Sequence, residues 1–309
     1  MSGDRHVPVL LGPVLEGLGI REDGVYVDAT FGRGGHSSAI LERLGETGRL
    51  VAIDRDPDAV AAAPDALMAD PRFEILRNDF AQLETCIAQR NLTGRIDGLL
   101  LDLGVSSPQL DRGERGFSFL HDGPLDMRMD PDAGISAADF INTVDEQALK
   151  KILQTLGEEP RAARIARAIV TARDRAPIET TGQLAAIVAG AAPARAGGRH
   201  PATRSFQALR IHVNRELEQL RAVLDQSLAV LAAGGRLCVI SFHSLEDRIV
   251  KRFIRRHAQV PEPWRGMPDV PAAYRPRLVP VGKVITADAA EIAANPRARS
   301  AHLRVAERT

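Results

Sequence analysis

The stretch Asp28-Ala29-Thr30-Phe31-Gly32-Arg33-Gly34-Gly35-His36-Ser37 decides the fold class of this 309-residue chain. It follows an apolar run, Val25-Tyr26-Val27, and a second apolar run, Leu50-Val51-Ala52-Ile53, ends at Asp54. Glycines after one strand let the backbone turn sharply beside a ligand, and an acid at the end of the next strand can hold the two hydroxyls of a ribose. Together these features predict a doubly wound, Rossmann-like α/β sheet that binds a nucleoside-containing cofactor.

The spacing of the glycines bears on which cofactor is bound. A dinucleotide site requires G-x-G-x-x-G, but the third position counted from Gly32 and Gly34 is Ser37. Asp28 adds a negative charge before the loop, which suits a ligand with a cationic amino-acid end and no phosphate. S-adenosylmethionine (SAM) has these properties. The sequence therefore favours SAM over NAD, while an NAD-dependent oxidoreductase and a structural Gly-rich turn stay open as alternatives.

Composition favours a cytoplasmic enzyme with a sizeable core, since 44% of residues are hydrophobic and 26% are charged. The net charge is zero, so a nucleic-acid partner would have to meet a local basic patch. The two cysteines, Cys86 and Cys238, are far apart, and this argues against both a disulfide framework and a metal site. No signal-type segment or membrane-length apolar run is found in the sequence.

Strand and helix patterns alternate up to a fourth strand at Ile96–Asp102. Helical stretches are expected near 57–67 and 81–91, with a third strand at Phe73–Leu76 between them. Only helical patterns follow for about a hundred residues, including long helices expected over 137–156 and 205–231, and strand character returns at Gly235–Ser241. The pattern predicts a core formed by 1–108 and 213–309, with a helical insertion at 109–212.

Basic residues are concentrated in two places. Residues 147–212 contain eleven Lys/Arg and four acids, and a helix expected over Leu245–His257 carries five more basic side chains after a capping box of Ser244 and Asp247. Such clusters are often solvated helix faces. Their concentration in the insertion and in this helix favours contacts with RNA phosphates.

Asp102 ends the fourth strand, where open sheets bind their ligands. Methylation of an exocyclic amine requires alignment of nitrogen, methyl carbon and sulfur, and an acceptor for the N–H groups. Asp102 or the backbone carbonyls of Leu103–Ser106 could supply that acceptor, and Asp102 is our candidate catalytic residue. Methylation of a pyrimidine carbon would require a cysteine nucleophile, but Cys86 falls in a predicted helix and Cys238 within an apolar strand.

Several longer strings resemble the bacterial 16S ribosomal RNA cytosine-N4 methyltransferases, the RsmH or MraW family. They span nearly the whole chain in order and include Leu101–Leu110, Glu114–Phe119, Gly123–Met129, Ser241–Arg248 and Asn295–Ser300. The resemblance implies a class I SAM-dependent methyltransferase fold with an inserted helical domain for substrate RNA. It also implies N4-methylation of one cytidine near the decoding centre of 16S rRNA, within the small ribosomal subunit.

Matched motif by motif, the cofactor contacts of that family fall on seven residues of this chain: Gly34, Gly35, His36, Asp54, Phe80, Asp102 and Gln109. Each also has a structural interpretation. Asp54 could cap the next helix, Phe80 and His36 could be packing residues, and Gln109 has no signal of its own. Met127 and Met129, in the loop before the helices of the insertion, could be core residues or part of a lid.

Other functions stay open on the sequence alone. An adenine or DNA amino-methyltransferase would share the site, and a non-catalytic RNA-binding protein that responds to SAM would share everything except turnover. The oligomeric state is not indicated by the sequence.

Overall fold

The computed structural model describes residues 8–193 and 200–309. The chain divides into two compact units, one formed by Met1–Gly104 and Glu218–Thr309 and the other by Val105–Leu217. These boundaries lie a few residues outside 109–212, the insertion expected from the sequence. Val105 packs against the core of the second unit, which explains the difference at one end.

The elements follow the chain in an alternating order and then in a helical block. The strands are β1 (Val25–Asp28), β2 (Arg49–Asp54), β3 (Phe73–Arg77), β4 (Ile96–Asp102), β5 (Leu231–Ser241), β6 (Leu278–Pro280), β7 (Ile285–Thr286) and β8 (His302–Arg308). The helices are α1 (Leu11–Leu18), α2 (Gly35–Leu41), α3 (Pro57–Ala61), α4 (Asp65–Met68), α5 (Leu83–Ala88), α6 (Ser107–Asp111), α7 (Ala137–Thr143), α8 (Glu146–Leu156), α9 (Ala162–Arg173), α10 (Thr181–Ala191), α11 (Thr203–Val213), α12 (Glu216–Val230), α13 (Ser244–His257) and α14 (Ala289–Ala294).

The first unit contains one sheet in the order β3-β2-β1-β4-β5-β8-β6, with β7 also paired to β8. Strands β1 to β5 pair in parallel, whereas β8 runs antiparallel to β5, β6 and β7. The strand order reverses between β1 and β4, and sheets of this kind bind ligands beyond the carboxyl ends of the strands at that point. The doubly wound α/β sheet expected from the sequence is confirmed.

Alternation along the strands gives the sheet two apolar faces. Val27 of β1 and Leu99 of β4 join a cluster with the buried residues of α5, α12 and α13. Their neighbours Tyr26 and Leu100 join a cluster on the other side with α1 and α2. Since successive side chains of a strand point to opposite faces, the continuous apolar runs of the sequence result from burial on both sides.

Three helices expected as continuous are each broken in the structure. The stretch over 137–156 is broken into α7 and α8, because the Asp145 side chain accepts from the Ala148 amide and begins a new helix. Pro64 separates α3 from α4, because proline cannot donate to the helix and favours a start over an interior position. Arg215 separates α11 from α12 with a left-handed φ of 50°.

The expected capping box at the start of α13 lies one residue earlier than predicted. His243 is the N-cap residue and Glu246 completes the box, whereas Ser244 is the first helical residue. An imidazole nitrogen accepts from an amide as a hydroxyl does, and a search for Ser or Thr does not detect it.

The second unit is helical and has its own core. Met127 and Met129 are buried in it, so these methionines are core residues. Asn214 fixes the loop, because its Oδ1 accepts from the Met129 amide (2.8 Å) and its Nδ2 donates to the Met127 carbonyl (2.7 Å). Beside them, the guanidinium of Arg128 donates to both carboxylate oxygens of Asp126.

The basic residues of the second unit differ in their surroundings. Arg173 donates to the carbonyls of Ile141 and Val144, and Arg210 forms a two-bond ion pair with Glu216, so these two arginines have structural roles. Others are exposed: Lys151, Arg161, Arg164, Arg167, Arg175 and Arg204. Arg195 and Arg199 lie outside the described residues.

None of the helices in the described ranges is both long enough and apolar enough to cross a membrane.

Candidate functional site

Three aspartates lie at the carboxyl ends of neighbouring strands. Asp28, Asp54 and Asp102 are the last residues of β1, β2 and β4, and β1 pairs with both of the other strands. The three acids therefore line the edge of the sheet where its strand order reverses. Each follows an apolar run, so the hydrophobic strand itself brings a carboxylate to this edge.

Asp28 is almost completely buried, at 1% exposure, and is held by hydroxyl groups. The hydroxyl of Ser37 donates to Oδ2 (2.7 Å), and the amide of Thr30 donates to Oδ1 (3.1 Å). Burial raises the pKa of Asp28, although the charge of His36 and these hydrogen bonds oppose the shift. The carboxyl group of Asp28 is therefore held in a fixed position inside the site.

Thr30 also connects two strand ends, because the Asp102 amide donates to its hydroxyl oxygen (2.6 Å). Sequence reasoning did not select Thr30 as a site residue and interpreted Ser37 only as a departure from the dinucleotide pattern. The sequence did contain a signal for these two residues, because both carry a hydroxyl group and lie close in sequence to Asp28.

The glycine loop turns through left-handed backbone conformations. Gly32 and Gly34 have φ values of 56° and 74°. A Cβ added at Gly34 would lie 2.7 Å from the ring of Phe31, and one added at Gly35 would lie 2.5 Å from Pro8. Both glycines are thus required by conformation or close packing, and the loop leads directly into α2.

His36, on α2, is buried beside the end of β4. Its Nε2 lies 3.6 Å from Oδ2 of Asp102. Burial disfavours the charged imidazole, but the nearby carboxylates of Asp102 and Asp28 outweigh it and raise the pKa of His36. Among the described residues, neither ring nitrogen of His36 nor Oδ1 of Asp102 has a hydrogen-bond partner. Buried polar atoms without partners are costly, so this pair is suited to a polar ligand.

Both oxygens of Asp54 accept backbone hydrogen bonds. The Gly32 amide donates to Oδ2 (2.7 Å) and the Asp56 amide to Oδ1 (2.9 Å). Burial nevertheless raises the pKa of Asp54 to about 6, against the effect of the two amides. The N-cap of α3 is Asp56, whose side chain accepts from Asp58, so capping of that helix does not require Asp54. Each carboxylate oxygen keeps a lone pair for a ligand hydroxyl.

Phe80 lies in a single 3-10 turn after β3 and is partly buried against the core on the α5 side of the sheet. This contact agrees with packing, while adenine stacking stays a prediction.

Gln109 belongs to the second unit, in contrast to the other predicted cofactor contacts. It is buried in α6, and its Oε1 accepts from the Ser106 amide (2.9 Å) in a capping box. Its side chain therefore helps to start that helix.

The model of the MraW methylase family matches residues 3–309 of this chain. Among solved structures, the chain is similar to an rRNA methylase from Streptococcus thermophilus, with 11% identity, a TM-score of 0.37 and coverage of 97% of this chain and 92% of that one. It is also similar to a SAM-dependent O-methyltransferase from Thermotoga maritima, with 11% identity, a TM-score of 0.42 and coverage of 100% and 69%. Because these structural likenesses are distant, the family match is the informative finding.

Proposed function

This chain belongs to the MraW methylase family, and we propose that it transfers a methyl group from SAM to the N4 amine of one cytidine in 16S rRNA, near the decoding centre. It is a SAM-dependent methyltransferase with a class I fold. The observation that supports the site is the pair His36 and Asp102, at the point where the strand order reverses. Within the part of the chain that the structure describes, both ring nitrogens of His36 and Oδ1 of Asp102 are buried without a hydrogen-bond partner.

The residues at this edge fit SAM. The cofactor is cationic at its sulfonium and ammonium groups, and Asp28, Asp54 and Asp102 supply negative charge. Burial raises the pKa of Asp28 and of Asp54, and a bound cation would offset that cost. Asp54 would hold the ribose of SAM. The remainder of the cofactor would be surrounded by Gly34, Gly35, His36 and Asp102. Phe80 would complete the contacts from the first unit, Gln109 stays a prediction from the family resemblance, and SAM supplies an activated methyl group.

The chemistry left to the protein is alignment and hydrogen bonding. Holding the amine in line with the methyl group can supply about 7–11 kcal/mol. The lone pair of the cytosine amine is delocalised into the ring, so an acceptor on its N–H helps to localise it. Oδ1 of Asp102 is such an acceptor, and the neighbouring His36 would fix the other carboxylate oxygen.

The cysteines argue against methylation of a pyrimidine carbon. Burial raises the pKa of Cys238 to about 12, and the pKa of Cys86 is also raised by burial. Both thiols lie within apolar clusters of the first unit. A carbon methyltransferase of the covalent type would instead need a thiolate beside the base.

Exposed basic side chains support an RNA substrate bound at phosphates. In the second unit these are Lys151, Arg164, Arg167, Arg175 and Arg204, and α13 adds a further row in the first unit. We therefore propose that the second unit recognises the RNA, that the substrate is the small ribosomal subunit, and that the enzyme works in the cytoplasm.

Identification of the methylated nucleoside tests the proposal. Small ribosomal subunits and naked 16S rRNA from a strain lacking the gene are incubated with the enzyme and labelled SAM, and the digested RNA is analysed by mass spectrometry. N4-methylcytidine at one position is the expected product, and Asp54→Ala serves as a control that should not methylate. Detection of 5-methylcytidine or N6-methyladenosine would overturn the assignment, and absence of any transfer would favour a non-catalytic RNA-binding role.

A further inference from the structure

A cavity of about 340 Å³ lies in the first unit between α13, the segment after β6, and β8. Its lining includes Lys251, Arg255, Val281, Lys283 and Arg304. The sheet order places β8 and β6 beyond β5, whereas Asp102 ends β4 on the other side of β5. The cavity is therefore separate from the strand ends that form the methyl-transfer site.

The cavity combines an apolar floor with a cationic rim. Ile254, Ala258, Val281 and Val284 contribute the apolar surface. Val284 is 40% exposed, which is a large fraction for an apolar side chain next to a cavity. Such a surface is suited to the flat faces of a base and sugar, and the volume lies within the range of small-ligand sites.

The rim carries more positive charge than its own carboxylates can neutralise. Arg304 is paired with Asp247 through two hydrogen bonds of 2.7 and 3.1 Å. Among the residues that the structure describes, Arg255 and Lys283 have no carboxylate within ion-pair distance, whereas Lys251 lies near enough to Asp247 to help lower the pKa of that carboxyl. These three cations come from two separate segments and face one space, so they form a site for an anion.

We propose that this cavity holds one nucleotide of a single-stranded segment of the substrate RNA, outside the methyl-transfer site. The phosphate contacts Lys251, Arg255 and Lys283, and the base and sugar lie on the apolar floor. The inference rests on the proposed function, because that function is the reason for taking the ligand to be RNA. It adds a second position at which the enzyme binds the RNA. The rim carries Lys and Arg side chains, so binding should depend on salt.

A paired set of charge-removing variants tests this proposal in the full chain. The test variant is Arg255→Gln with Lys283→Gln, and the matched control is Arg43→Gln with Arg95→Gln. All four side chains are exposed, and the control pair does not line the cavity. Binding of a short single-stranded oligoribonucleotide and of SAM is measured for each protein, and circular dichroism verifies the fold.

The test variant should bind the oligonucleotide about five- to tenfold more weakly, and its slope of log affinity against log salt should fall by about 1.4, since each lost phosphate contact on a single strand removes about 0.7. SAM affinity should not change, and the control pair should lose much less RNA affinity. Equal losses in both variants, or no loss in the test variant, would overturn the site. A photo-crosslinkable oligonucleotide should label peptides containing 251–259 or 280–284, and labelling only elsewhere would also overturn it.

Two further measurements separate this proposal from its alternatives. Uridine monophosphate and inorganic phosphate are titrated alone, and binding as tight as that of the oligonucleotide would make the cavity a free-nucleotide site and overturn the RNA assignment. Methyl transfer to the small subunit is measured on the same proteins. If transfer proceeds while the variant pair binds RNA normally, the cavity proposal fails and the proposed function stands.

Discussion

Asp54 keeps a carboxylate at a buried strand end where its pKa is raised to about 6. Only the ionised form offers strong acceptors to ribose hydroxyls. Because the raised pKa means that the carboxylate takes up a proton as the pH falls through 6, SAM affinity should decrease below that pH, approaching tenfold per pH unit. Calorimetric titration between pH 7.5 and 5 measures this, and Asp54→Asn should bind weakly with little pH dependence.

Two more groups at this site have shifted pKa values. The pKa of His36 is raised by the nearby carboxylates of Asp102 and Asp28 against the effect of burial, and burial raises the pKa of Asp28. If Asp54→Asn retained the full decrease in SAM affinity, the titrating carboxylate would be Asp28.

Asp102 combines two proposed roles, contact with SAM and acceptance of the cytosine amine. We expect the cofactor role to dominate. Asp102→Asn should then reduce SAM affinity by about as much as it reduces kcat/KM at limiting SAM, because the lost interaction exists already in the ground state. Normal SAM binding with a collapsed kcat would reverse this order. Asp97→Asn, at the other end of β4, is the matched control and should leave both constants nearly unchanged.

Gly34 has a left-handed φ and no room for a side chain, which makes its replacement costly for stability. Gly19 offers a matched comparison, since its φ is 59° but a Cβ there would meet nothing within 4 Å. Gly19→Ala should lower the free energy of unfolding by about 1–2 kcal/mol from conformation alone. Gly34→Ala should cost about 1–3 kcal/mol more, because its Cβ overlaps the ring of Phe31, which is packed against Phe73. Urea denaturation measures both, and equal losses would show that the ring moves freely.

Residues of the site were predictable to different degrees. Asp54 and Asp102 end apolar runs, so the strand pattern itself places them at the functional edge. Thr30 and Ser37 were missed because the partner of a hydroxyl depends on how the loop folds back, which spacing does not encode. Gln109 came only from the family resemblance, and its visible role is a capping hydrogen bond.

At the scale of elements, α13 carries the charge expected of an RNA-binding helix. Its buried residues, including Val250 and Ile254, pack on the sheet, and its basic residues are exposed on the other side. Replacing Arg248, Lys251 and Arg252 together by Gln should weaken RNA binding and reduce the salt slope by about one per lost phosphate contact. SAM affinity should stay the same. An unchanged salt slope would identify these residues as a solvated face.

Helices and strands were predicted well where apolar residues recur along the sequence. They were predicted poorly where a single residue determines the boundary of an element. Strands β1 to β4 have apolar runs and were recognised, and β5 was recognised over its second half. The short strand β6, Leu278–Pro280, has too few residues for a pattern and exists because β8 pairs with it. Likewise, the break between α11 and α12 depends on the left-handed backbone of Arg215 alone, and no glycine in the sequence indicates it.

At the scale of the whole molecule, the reactivity of the two cysteines measures how often the first unit opens. Cys86 and Cys238 are buried there, at 2% and 0% exposure, and burial raises the pKa of each thiol. We expect both to resist a thiol reagent in the native protein and to react at the rate at which this unit opens. SAM at a hundred times its Kd should slow labelling by about 100-fold, since it stabilises the closed state by about 2.7 kcal/mol. Rapid labelling of either thiol in the native protein would contradict the burial described.

The pairing of β4 with β5 has a consequence for how the chain folds. Leu99 lies opposite Leu237, and the whole of the second unit separates them in sequence. Closing so long a loop of unstructured chain is entropically unfavourable, and each doubling of its length costs about 0.6 kcal/mol. A second unit that has already collapsed around its own core removes most of the flexible residues from that loop. We therefore expect helices within Val105–Leu217 to form early, and the joining of β5 to β4 to limit the rate at which the sheet is completed.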